Sequence, residues 1–126
     1  MKKTIAAVAM ALFSLTAMAQ SKPWKAVVLT ATMSGWLETR GTAISKDGLL
    51  EIIVKDDTGQ VAEIYKGRLK GSQWTGARTV MGTDNIDEPL IGRFSRRKIE
   101  NNEIQTLILT NEWVSASFTR TIDLRK

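Results

Sequence analysis

Residues 50–67 read Leu-Glu-Ile-Ile-Val-Lys-Asp-Asp-Thr-Gly-Gln-Val-Ala-Glu-Ile-Tyr-Lys-Gly. Two runs of β-branched and aromatic residues flank Thr58-Gly59, the pattern of an antiparallel hairpin. In such a hairpin the numbers of cross-strand partners have a constant sum, and partners share a face of the sheet. A turn at Thr58-Gly59 sets Val54 opposite Glu63, Ile52 opposite Tyr65 and Leu50 opposite Gly67 on one face. The other face receives Ile53 opposite Ile64 and Glu51 opposite Lys66. An opposite-charge pair belongs in water, so the face with Ile52, Val54 and Tyr65 is the core face. A turn of four residues instead of two shifts the partners but keeps these faces.

The same argument extends in both directions. Backward through Asp47-Gly48, it turns Thr39, Gly41, Ala43 and Ser45 inward beside Ile52 and Leu50, a wall of small side chains that leaves interior space. Forward through Gly71-Ser72, it pairs Leu69 with Trp74 and Tyr65 with Arg78 inward, and turns Lys66, Arg68 and Lys70 outward as a solvated row. Near the C-terminus, a turn at Asn111-Glu112 pairs Leu109 with Val114, Leu107 with Ala116 and Gln105 with Phe118, and puts Glu103 opposite Arg120. A turn at Asn101-Asn102 adds Phe94, Arg96 and Lys98 to that inward face, apolar at one end and basic at the other. Strands are expected at 24–32, 36–46, 49–56, 60–70, 73–81, 90–99, 104–110 and 113–124. The fold is then all-β, an eight-stranded antiparallel up-and-down meander closing into a small β-barrel, with a two-sheet sandwich as the alternative. This resembles lipocalin-like and fatty-acid-binding barrels in architecture, without their family motifs, so the likeness concerns the fold alone.

Composition narrows the chemistry. The chain has 126 residues, 43% hydrophobic and 25% charged, and contains neither Cys nor His. Disulfides, Cys or His zinc sites and Ser-His or Cys-His catalysis are thereby excluded. Met1-Lys2-Lys3, the apolar residues 5–15 and Ala17-Met18-Ala19 form the basic, apolar and small-residue parts of a secretory signal peptide. Residues 1–19 are read as that signal and 20–126 as one barrel domain, with the periplasm of a Gram-negative cell expected first and full secretion second. An 11-residue apolar stretch is too short to span a membrane. Removing Lys2 and Lys3 lowers the net charge from +5 to +3, which provides no concentrated basic stripe for nucleic acid.

Several residues are candidates for binding. Arg96, Lys98 and Arg120 would hold an anionic head group while Phe94, Phe118, Leu107 and Tyr65 hold an apolar tail, with Trp74 on the same rim. Glu63 and Arg78, beside Tyr65, form a candidate inward ion pair, structural or ligand-orienting. Residues 82–89 offer Asp84, Asn85, Asp87 and Glu88 as oxygen ligands for Ca²⁺, without the spacing of an EF-hand, and turn chemistry is the preferred account of this loop. Trp36 and Trp113 point outward, as does an apolar strip of Ile53 and Ile64 flanked by Thr42 and Thr79, and these suit a protein partner. No cofactor is expected. The reading is a non-enzymatic binder of an amphipathic or anionic small molecule; the alternative is a protein-binding module, such as an inhibitor or accessory of an envelope or secreted enzyme. N-terminal sequencing of the protein from a periplasmic fraction should find Gln20 first, and Met1 on the abundant species would refute the export signal.

Overall fold

The structure is a computed structural model that describes residues 22–82 and 87–125. Residues 1–19, read above as an export signal, therefore lie outside the described residues. Eight strands follow one another: β1 (Trp24–Thr32), β2 (Gly35–Lys46), β3 (Glu51–Lys55), β4 (Val61–Lys70), β5 (Gln73–Val80), β6 (Glu88–Ile99), β7 (Asn102–Thr110) and β8 (Val114–Asp123). Each pairs antiparallel with the next, and β1 pairs with β8, closing the barrel. No helix among the described residues is long and apolar enough to cross a membrane.

Period-two alternation selects the core. Inward positions hold Trp24, Ala26 and Val28 of β1, Ile52 and Val54 of β3, Tyr65 of β4, Trp74 of β5, and Leu107 and Leu109 of β7, all buried. The Ile52–Tyr65, Val54–Glu63 and Ile53–Ile64 pairs form as the hairpin rule requires, with one irregularity between Val54 and Lys55. Asp56 closes this turn, its Oδ1 accepting bonds from the Thr58 and Gln60 amides at 2.9 and 3.0 Å. The Tyr65–Arg78 and Leu69–Trp74 pairs also form.

The connections after β2, β3, β5 and β7 are longer than two residues, and the turn after β6 is Glu100-Asn101 instead of Asn101-Asn102; in the hairpins after β2, β6 and β7 the partners differ from those expected. Between β2 and β3, Ala43 faces Val54 and Ser45 faces Ile52. Leu50, expected inward, is 48% exposed, and Leu49 is buried in its place at 8%. The reason is a turn that folds over the barrel end, where the Leu49 carbonyl accepts a 2.7 Å bond from the Trp74 indole. Between β7 and β8, Leu109 pairs with Ala116 and Leu107 with Phe118. Arg120 consequently faces Gln105, not Glu103, whose partner is Ile122. The outward strip likewise reads Ile44, Ile53, Ile64, Thr79, with Ile44 where Thr42 was expected.

One end of the barrel is filled by aromatic rings. The Trp74 indole lies over two glycines, since a Cβ built on Gly67 would sit 2.5 Å from its Cζ2 and one on Gly76 would sit 2.6 Å from its Cη2. Without side chains at these positions, the largest residue fits inside a narrow barrel. Trp24 and Phe94 meet edge to face at 6.5 Å, and Tyr65 and Phe118 at 5.2 Å.

Equilibrium unfolding in urea should separate the faces: Ile52→Ala and Leu107→Ala should each cost about 2 to 5 kcal/mol, whereas outward Lys66→Ala and Thr106→Ala should each stay within roughly 0.5 kcal/mol. Gly67→Ala should cost about 1 to 3 kcal/mol although it adds a single methyl group, because Trp74 blocks the space.

Candidate ligand cleft

The barrel ends differ because the meander sorts its turns. The connections after β2, β4 and β6, together with Lys22 and Arg125, lie at one end. Those after β1, β3, β5 and β7 lie at the other. Among the described residues the first end carries twelve Lys or Arg against five Asp or Glu, and the second carries three against seven. The modest net charge of the chain thus conceals a strong asymmetry along the barrel axis.

At the basic end, the sequence-predicted head-group residues are brought near one another. Arg96 and Gln105 face each other across β6 and β7, and Gln105 faces Arg120 across β7 and β8. Arg120 donates to Gln105 Oε1 at 2.7 Å and to the Lys22 carbonyl at 3.0 Å, and its guanidinium covers the Trp24 ring at 4.0 Å. Burial pushes Arg120 down to about 10, opposed by the Glu103 carboxylate, so it stays charged at neutral pH. Arg96 lies over Phe94 at 5.4 Å, and Lys98 is exposed beside Glu103. Phe118 and Trp74, expected to contact a ligand, are 0% exposed. Both belong to the packed interior.

An open cleft of about 520 Å³ occupies the opposite end. It exists because β2 presents Thr39 and Gly41 where other strands present larger side chains. A Cβ on Gly41 would strike the Lys55 carbonyl at 2.5 Å, so glycine is required by the closeness of β3. Ala26, Val28 and Val54 form an apolar floor, with Ala62 and Glu63 beside it. Arg40, Lys55, Asp56 and Asp57 form the rim. Of these, Arg40 is paired with Glu38 at 3.2 Å, and Asp56 is held in its own turn. The small-residue wall was legible in sequence, but nothing in sequence marked Ala62 or Asp57 as its neighbours.

Glu63 connects this cleft to the interior. Its Oε1 accepts the Tyr65 hydroxyl and the Arg78 Nε, the latter at 2.8 Å. Arg78 bridges onward from Nη1 to Glu88 Oε1 at 2.8 Å. Glu63 and Arg78 are each 7% exposed. Burial pulls the Arg78 pKa down, and the bonds to Glu63 and Glu88 more than reverse that, so the guanidinium is firmly charged. Burial, reinforced by the Glu63 carboxylate, pushes the Tyr65 phenol far above its ordinary range. Tyr65 is therefore a fixed donor at neutral pH. Among the described residues no donor bonds Glu63 Oε2, while no fully buried polar side-chain atom lacks a partner. Oε2 is therefore not fully buried, and Glu63 is one of the residues that line the cleft.

Of the expected oxygen ligands in 82–89, Asp84 and Asn85 lie outside the described residues. Glu88 is committed to Arg78, and Asp87 accepts a 2.9 Å bond from Thr79. Trp36 and Trp113, each 60% exposed, stand on either side of Ala31, which pairs with Trp36 and donates its amide to the Trp113 carbonyl at 2.7 Å. Barrel closure brings these distant tryptophans to one rim. No protein-family model, curated protein or solved structure matches the chain.

Removing one member of the buried pair leaves the other charge uncompensated. Arg78→Met should therefore cost about 3 to 5 kcal/mol in urea unfolding, and the double variant Glu63→Leu/Arg78→Met should cost less than the sum of the two single changes.

Proposed function

We propose that this chain is a non-enzymatic binding protein, a small barrel that takes an amphipathic small molecule into the cleft bounded by Thr39, Gly41, Val54 and Glu63. The carrying observation is the cleft itself. Its volume of about 520 Å³ lies within the usual range of roughly 300 to 1,000 Å³ for small-molecule sites, and its apolar floor is bounded by Glu63 and a charged rim. Most other inward positions are filled by close-packed side chains, which supports placing the ligand here and not among Phe118, Trp74 and Leu107. The commitment of Tyr65, Glu63 and Arg78 to one another supports binding over acid-base catalysis. The signal-like N-terminus supports action in the periplasm or outside the cell.

The exposed Trp36 and Trp113 favour a second reading, in which the chain is a protein-binding module and this rim, with the Ile53 and Ile64 strip, meets the partner. Native mass spectrometry of protein from its own host discriminates between the two. A co-purifying small molecule retained by wild type and lost from Thr39→Phe, which fills the cleft mouth, is the expected outcome. If Thr39→Phe retains the molecule equally well, or a protein partner is retained without any small molecule, the cleft reading fails.

A further inference from the structure

We infer that the ligand of this cleft carries a cationic group, an ammonium or amidinium, that bonds Glu63 Oε2 while its hydrocarbon part lies on Ala26, Val28 and Val54. The inference rests on the cleft being the binding site. Two independent observations carry it.

The first is local. Glu63 is 7% exposed, lines the cleft and holds one oxygen fully engaged by Tyr65 and Arg78, with the other unbonded among the described residues. A carboxylate accepts bonds at both oxygens, and a charge-assisted donor at the second satisfies it better than water in so confined a place. An anionic ligand would set its own charge against this oxygen, and the cations of the lining, Arg40 and Lys55, stand at the rim beside Asp56 and Asp57. Arg78 is shared, its Nε on Glu63 Oε1 and its Nη1 on Glu88 Oε1, a ratio of two carboxylates to one guanidinium.

The second is global. The charged residues at this barrel end are three basic against seven acidic among those described, and the basic surplus lies at the far end. Screening over roughly 8 to 10 Å at physiological salt leaves the near charges dominant, so the cleft mouth attracts cations. At the rim, Arg40 is partly neutralised by Glu38, and Lys55 shares the lining with Asp56 and Asp57. The apolar component has its own extension: Leu37 lies on the same face of β2 as Thr39 and Gly41 and is 55% exposed, prolonging the floor beyond the barrel. Hydrophobic contact with an acidic wall specifies an amphipathic cation.

The test is calorimetric titration of the full mature chain with hexyl-, octyl- and decylamine, each against the alcohol and carboxylate of equal length. The amines should bind about ten-fold or more tighter than their carboxylates and alcohols, as expected for one charge-assisted bond in a confined site. Affinity should rise with chain length, and Thr39→Phe should abolish it. Glu63→Gln should erase the preference for amines over alcohols; since that change also disturbs the Arg78 pair, the double variant Glu63→Gln/Arg78→Gln is measured beside it and should behave alike. Carboxylates binding as tightly as amines in wild type would overturn the cation assignment and leave the cleft as a binding site. Failure of all three series to bind would overturn both.

Discussion

Pairing of β1 with β8 is the constraint on which the molecule depends. It joins segments from opposite ends of the chain through the Val28–Ala116 and Ala26–Phe118 pairs and so removes both free edges that a meander would otherwise expose. Closure also fixes the interior volume. Once eight strands surround a common axis, every inward residue must share one narrow space, and the sizes of those residues decide where it is full and where it is open.

The resulting distribution is uneven. Toward the basic end, Trp24, Trp74 and Phe94 fill the space, and Gly67 and Gly76 give way to the Trp74 indole. Toward the acidic end, Thr39, Gly41, Ala26 and Ala62 contribute little volume, and solvent enters between β1, β2, β3 and β4. One sequence thereby builds a filled half and an open half. Close packing and open space fall at different ends, so the cleft can remain unfilled without removing the aromatic packing.

The Glu63, Tyr65, Arg78 and Glu88 network lies beside this boundary. Buried charges recover little net free energy from pairing, because desolvation offsets most of the attraction. Their structural value here is orientation: a carboxylate fixed on one side by a phenol and a guanidinium presents its other oxygen in a defined direction. Preorganised in this way, Glu63 offers an acceptor whose side-chain ordering cost has been met during folding.

Strand faces were determined by sequence alone, because side chains alternate with period two and turn-length errors also came in steps of two. Thus the turns after β2 and β7 moved Ala43 to Val54 and Leu107 to Phe118, yet within the eight observed strands these pairs kept their expected faces, and the exchange of Leu49 for Leu50 fell in a turn. The inward Glu63, Tyr65 and Arg78, the outward Trp36 and Trp113, and the small wall at Thr39 and Gly41 were legible for the same reason. Tertiary structure decided what depends on distance around and along the barrel. Leu49 instead of Leu50 is buried because the turn must reach the Trp74 indole, and Arg120 meets Gln105 and Trp24 because closure sets its depth. Which end would be open could not be read from the pairing pattern: alternation tells which way a side chain points, while only the packed volumes of all eight strands tell whether anything is already there.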